Sequence, residues 1–181
     1  IPGILEGIFQ AAKDKDSALI IELAKTECNL EGGYTGLTPQ KLSDFAYKAA
    51  QKIGHDIWLL HADHTTVKNL AEENFKKDEE LLKNQITSGY TSFAIDASFL
   101  FGENSLNVQD QLKDNIFATT RLVNFIKKNY PNQDFGLEVE VGEIGKKNEE
   151  GLVLTTPEEA VTFLEELKKN NIYPHVLAIA N

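Results

Sequence analysis

The sequence predicts an α/β fold built on a parallel sheet. Five apolar segments of strand length alternate with amphipathic segments of helical period. Such alternation with short connections implies right-handed crossovers between parallel strands. The strand segments are apolar along most of their length rather than strictly alternating, as in strands covered on both faces. They are too dissimilar for a solenoid of repeats. No linker, low-complexity tract or charge block divides the chain, so residues 1–181 read as a single domain.

In chain order, PGILEGIFQAAKDKD opens as a helix with Pro2 in its first turn. ALIIELA (18–24) is the first strand. TGLTP (35–39) starts the helix PQKLSDFAYKAAQKIG, which stops at Gly54. DIWLLHAD (56–63) is the second strand, followed by the helical LAEENFKKDEELLKNQITSG, which stops at Gly89. TSFAIDA (91–97) and FGLEVEV (135–141) flank a long helix over VQDQLKDNIFATTRLVNFIKKN. The last helix starts at TPEE, with Thr156 as cap, Pro157 in the first position and acid in the first turn. HVLAIAN (175–181) is the fifth strand.

Composition narrows the function. With 41% hydrophobic and 25% charged residues, 181 residues suffice for a sizeable core. A net charge of −10 disfavours a nucleic-acid or anionic-membrane partner. No apolar run reaches the roughly 18–20 residues of a membrane-spanning helix. IPGILEGIFQ has no basic residue ahead of its apolar stretch and so does not resemble a signal peptide. Cys28 is the single cysteine, which excludes an internal disulfide and fits a reducing, cytoplasmic setting. The absence of methionine, position 1 included, reads as part of a longer protein.

In folds of this class, chemistry collects at the carboxyl ends of the strands. The second strand delivers His61, Asp63 and His64 there; the third delivers Asp96, the fourth Glu138 and Glu140, and the fifth Asn181. His61 and Asp63 are two apart and share a face of their strand, as do Glu138 and Glu140. Taken singly, each has a structural explanation: Asp96 as a turn residue, a buried His as a satisfied core group, the glutamates on an exposed edge. Jointly, polar residues at the same end of successive strands point to a site. Imidazole beside carboxylates is a donor set that suits zinc and related divalent ions. His55 and His175 precede their strands, at the opposite end of the sheet, and read as structural.

HADH (61–64), FAIDAS (93–98), LEVEVGEIG (137–145), TTPEEAVTFL (155–164) and LAIAN (177–181) resemble, in order and spacing, class II metal-dependent fructose-bisphosphate and tagatose-bisphosphate aldolases. The resemblance runs from about Leu19 to Asn181. It implies a (β/α)₈ TIM barrel, of which the five strands are the second through sixth. It also implies that His64 binds a catalytic zinc and that Asp63 is the acid/base at the carbon bond made or broken. By the same resemblance, Asp96 and Glu140 hold a second, more exposed divalent metal, His61 and Glu138 orient the ligands, and Asn181 contacts substrate. Two further zinc histidines and the phosphate-binding loops would lie beyond Asn181.

The implied reaction is reversible cleavage of a ketose (bis)phosphate to dihydroxyacetone phosphate and an aldehyde, by a homo-oligomer, expected to be a dimer. No lysine lies within the five strands, in keeping with a metal rather than a Schiff base as electrophile. GGYTGLTP (32–39) resembles instead a segment of the companion subunit found beside tagatose-bisphosphate aldolases, regarded as non-catalytic. A non-catalytic subunit is therefore the alternative, ahead of another metal-dependent sugar-phosphate barrel enzyme such as an epimerase or isomerase.

Overall fold

A computed structural model describes residues 2–102, 105, 107–130, 134–143, 145, 147–148 and 151–181. Ile144 of LEVEVGEIG, and Lys146, Glu149 and Glu150 of the segment after it, lie outside the described residues. Helix α1 (Pro2–Asp14) leads into β1 (Leu19–Ala24), α2 (Pro39–Ile53), β2 (Trp58–Thr66), α3 (Glu72–Thr87) and β3 (Ser92–Asp96). A 3₁₀ turn (Ser98–Leu100) precedes α4 (Val108–Asn129) and β4 (Gly136–Val141). A short ribbon, β5 (Lys147–Asn148) and β6 (Gly151–Leu152), is followed by α5 (Pro157–Lys169) and β7 (Val176–Ile179).

All five expected strands are present, in one parallel sheet ordered β1-β2-β3-β4-β7. Consecutive helices touch in chain order, α1 on α2 through α4 on α5, so they line one face of the sheet and leave the other open as a half-barrel. β2 continues to Thr66, three residues past the expected end, and its pairing with β3 shifts register between Ala62 and Thr65. The antiparallel β5–β6 ribbon was not expected, because two-residue strands carry no hydrophobic period.

Local sequence explains the helix ends. Thr38 caps α2, and Gly54 closes it at φ +68, the left-handed conformation that glycine adopts without a Cβ clash. Thr156 and Glu159 form a reciprocal capping box on α5, with Pro157 in the first turn. α3 stops at Thr87 under Ser88, two residues short of the expected Gly89.

The core lies between the sheet and the helices. Phe93, Ile95 and Val139 from the strands pack with Leu112, Leu122, Val123 and Ile126 of α4, all fully excluded from water. At the amino end of the sheet, Phe93, Tyr130 and Phe135 meet edge to face with ring centroids 5.5–6.0 Å apart. Among the described residues, no helix is long and apolar enough to cross a membrane.

The helix-lined core leaves the polar residues to the open face and the carboxyl rim. Glu22 of β1 pairs in register with His61 of β2, and His61 with Ser92 of β3. These side chains point away from the helices, as does Glu138, two residues past the Gly136 that pairs with Ser92.

Candidate metal centre

A regular strand would send Asp63 and His64 to opposite faces, since successive side chains alternate. The irregularity in β2 prevents this. The register slips between Ala62 and Thr65, and His64 takes φ +94, where a non-glycine residue is strained. The bulge re-aims the His64 ring at the rim, so that both members of the Asp63–His64 pair serve one region. Strain of this kind persists where surrounding contacts hold it in place.

Those contacts come from the two neighbouring strands. His64 Nε2 lies 2.7 Å from Asp96 Oδ2, and Nδ1 lies 3.0 Å from Glu140 Oε1. Asp96 and Glu140 are 1% and 3% exposed, at the ends of β3 and β4. Donor atoms of His64, Asp96 and Glu140 all fall within 4.8 Å of one another. Asp96 and Glu140, which the resemblance assigns to a second, more exposed ion, thus share one buried cluster with His64.

The Asp96 carboxylate, then that of Glu140, stabilises the charged imidazolium of His64 and raises its pKa to about 10 against the opposing effect of burial. Burial pushes Asp96 up, but His64 and Ser98 outweigh it, and its pKa is lowered overall. Asp96 Oδ2 is buried, and among the described residues it meets the His64 ring as an ion pair at 2.7 Å without an aligned hydrogen bond. One imidazole and two buried carboxylates gathered at one point are a donor set that fits a divalent transition ion, which would replace the proton on His64.

The other expected residues surround this cluster. Asp63 is half-buried on the open face, and among the described residues no hydrogen-bond donor reaches it. Burial, followed by the charges of Asp63, Glu140 and Glu22, pushes the Glu138 carboxyl up, and burial and Asp63 do the same to Glu22. His61 is 5% exposed; its Nδ1 shares a 2.7 Å hydrogen bond with Ser92 Oγ, and Nε2 lies 3.7 Å from Glu138 Oε2. Burial holds its imidazole below the ordinary range although Asp63 favours the charged form. Gly136 makes room for this pair, because a Cβ there would stand 2.5 Å from Ser92 Oγ. Asn181 is exposed, past the end of β7 at the same rim, and does not join the cluster.

A cleft of about 350 Å³ opens on the same rim, lined by Ser98, Phe101, Gly142, Lys147, Thr155 and Ala180 among others. Thr155 ties its floor together: Oγ1 donates to Val141 O at 2.9 Å and accepts from Ala180 N at 2.9 Å. Gly142, at φ +84, permits this, since a Cβ would lie 2.2 Å from that hydroxyl.

At the amino end, His175 Nδ1 accepts from Leu137 N at 3.1 Å, and its own backbone N–H donates to Leu137 O. His55 is buried with its ring near Phe9. Neither faces a carboxylate cluster, in keeping with structural roles.

Sequence reasoning missed the bulge and the groups behind the ligands, Ser92, Ser98, Asn115 and Thr119. The Asp-Ala-Ser spacing at 96–98 is a side-chain-to-backbone turn signal that could have identified Ser98.

A parallel half-barrel with an imidazole and two carboxylates gathered at its carboxyl rim defines an α/β protein with a candidate metal centre. The profile of class II fructose-bisphosphate aldolase matches residues 3–181, and the chain belongs to that family. It is similar to the D-tagatose-1,6-bisphosphate aldolase subunit GatZ of Escherichia coli O1:K1 / APEC, 27% identical over 111 residues. That match covers 58% of this chain and 26% of the relative. GatZ of Salmonella gallinarum (strain 287/91 / NCTC 13346) is 28% identical over 108 residues, 56% of this chain and 26% of the relative. The matched region thus spans about a quarter of these relatives. A crystal structure of a probable tagatose 6 phosphate kinase from Sinorhizobium meliloti 1021 superposes with a TM-score of 0.67 at 21% identity. It covers 94% of this chain and 42% of that one, and shows the shared fold.

Proposed function

We propose that this chain carries the metal- and proton-handling part of a zinc-dependent aldolase site in a TIM barrel. The reaction would be reversible cleavage of a ketose (bis)phosphate to dihydroxyacetone phosphate and an aldehyde. The observation that supports this reading best is the β2 bulge, which aims His64 at Asp96 and Glu140 while Asp63 keeps to the open face within electrostatic reach of Glu22, His61 and Glu138.

In this reading His64, Asp96 and Glu140 hold the ion. When bound, zinc supplies a Lewis acid that stabilises negative charge developing on the ketose oxygen. Asp63 removes the proton from the hydroxyl of the departing aldehyde and returns it in the reverse direction. Glu138 and Glu22 lie within electrostatic reach of Asp63 on the open face, where burial and the Asp63 charge push both of their carboxyls up. His61, fixed by Ser92, packs its ring beside the Glu138 carboxylate, with Nε2 3.7 Å from Oε2. The cleft beside Thr155 gives room for the sugar, and Asn181 contacts substrate at its edge.

The test is Asp63→Asn, assayed for cleavage of fructose- and tagatose-bisphosphate with zinc content measured in parallel. Turnover should fall by about 10²–10⁴-fold with zinc content unchanged; near-full turnover would remove Asp63 from the mechanism. A second reading, a non-catalytic subunit, is supported by the relatives' description as a subunit and by GGYTGLTP. It predicts no cleavage by the isolated protein and recovery of cleavage only with a separate aldolase polypeptide.

A further inference from the structure

Two sets of buried hydrogen bonds lie behind the donor cluster, and neither belongs to the helix or sheet ladders. Asp96 Oδ1 accepts from the Ser98 backbone N–H at 3.0 Å and from Ser98 Oγ at 2.6 Å. Ser98 is 3% exposed. Both bonds fall on one carboxylate oxygen, and the other, Oδ2, is left to face His64 Nε2 at 2.7 Å. On α4, Asn115 Nδ2 donates to the backbone oxygen of Glu140 at 3.0 Å, while its Oδ1 accepts from Thr119 Oγ1 at 3.0 Å. Asn115 and Thr119 are 1% and 0% exposed on a helix face that otherwise buries Leu112, Ala118 and Leu122. A polar pair is retained there against an apolar setting, and its outward bond goes to the residue that carries a donor carboxylate.

We propose that Ser98 and Asn115 are positioning residues that set how Asp96 and Glu140 present themselves to a metal ion. The inference rests on the metal-centre reading above. Ser98 saturates Oδ1 and so confines Asp96 to one-oxygen ligation through Oδ2. Asn115, braced by Thr119, fixes the peptide of Glu140 so that its carboxylate meets the same point. The chemical consequence is selectivity. Zinc and cobalt accept few donors, nitrogen included, whereas calcium takes six to eight oxygens and commonly uses both oxygens of a carboxylate. A site with one imidazole and a single-oxygen aspartate therefore favours the transition ion and discriminates against calcium.

The experiment uses chelator-stripped protein titrated with cobalt against a competing chelator, with calcium in parallel and cobalt's visible band as a report of coordination. The variants are Ser98→Ala, Ser98→Gly, Ser98→Thr and Asn115→Leu, with His64→Ala as control. Ser98→Ala and Ser98→Gly should weaken cobalt binding by about 10–100-fold, the usual effect of losing a hydrogen bond to a ligand, and should narrow the cobalt-over-calcium ratio. Ser98→Thr, which keeps the hydroxyl, should restore both, and Asn115→Leu should weaken cobalt and alter its band. A purely structural role would move the thermal midpoint of the stripped protein and leave the cobalt-to-calcium ratio alone. Cobalt affinity and ratio within twofold of the unaltered protein in both hydroxyl-deleted variants, with His64→Ala losing cobalt, overturns the positioning role alone. Cobalt binding undiminished in His64→Ala, or absent from the unaltered protein, overturns the metal-centre reading and the positioning role together.

Discussion

Two motifs stand at the same rim of the half-barrel and use their polar groups in opposite ways. GGYTGLTP, between β1 and α2, satisfies its groups internally. Thr35 Oγ1 donates to the Glu27 carbonyl at 2.6 Å, the Tyr34 hydroxyl donates to the Glu27 carboxylate, and that carboxylate also accepts from Ala24 N at 2.9 Å. Gly33, at φ +53, lets the loop close, because a Cβ there would lie 2.4 Å from the Glu27 carbonyl. Thr38 then caps α2. HADH, at the end of β2, does the reverse: it strains His64 and sets its ring between the buried Asp96 and Glu140 carboxylates. Both motifs resemble family segments, but a strained imidazole held between two buried carboxylates, rather than resemblance, distinguishes a candidate site from a well-made loop.

The sharpest way to break this contrast is at the metal ligands. Asp96→Ala or His64→Ala should abolish stoichiometric zinc binding, measured by metal analysis after dialysis, and cleavage with it; retained zinc would place the ion elsewhere. Gly33→Ala should leave zinc binding unchanged yet destabilise the fold by about 1–3 kcal/mol, the range for a non-glycine residue forced into a strained backbone, read from a urea midpoint. If zinc binding fell instead, the loop would belong to the site.

The two regions should also respond to pH with opposite sign. The pKa of Glu27 is lowered by the Tyr34 hydroxyl and the Ala24 N–H. Its contribution to stability is therefore present above its ordinary value near 4.5 and lost as pH falls through the lowered value. His64 in stripped protein is raised from 6.5 to about 10, so its contribution is complete below about 6.5 and lost as pH rises through about 10. Urea midpoints from about pH 2 to about pH 11 on stripped protein, with Glu27→Gln and His64→Gln, should show the acid-side loss removed by the first and the alkaline-side loss by the second. A profile unchanged by both substitutions would deny these groups a role.

The smallest effect is expected at the amino end. Among the described residues His55 Nε2 is buried without a hydrogen-bond partner, so His55→Leu should shift stability by less than about 1 kcal/mol in either direction and leave zinc binding intact. A large loss would mean that the ring makes a contact as strong as those of a metal ligand.

The α/β class, the order of the strands along the chain, most helix boundaries and the residues at the rim were all legible in the sequence. Each depends on local or periodic information: apolar runs for β1 to β4 and β7, Thr38 and Thr156 as caps, Gly54 as a stop, and a shared strand end for His61, Asp63, Asp96 and Glu140. Sequence alone determined which chemistry was available. It did not determine that His64 would leave its alternate face, because a bulge is a property of the pairing between β2 and β3 and has no period of its own. Nor did it show that Ser98 would take one oxygen of Asp96 and leave the other, or that Asn115, on the buried face of an amphipathic helix, would hold the peptide of Glu140. Those outcomes depend on distances of about 3 Å between residues up to 76 positions apart, from His64 to Glu140. Only the folded sheet, with β2, β3 and β4 laid side by side, brings the donors to one point.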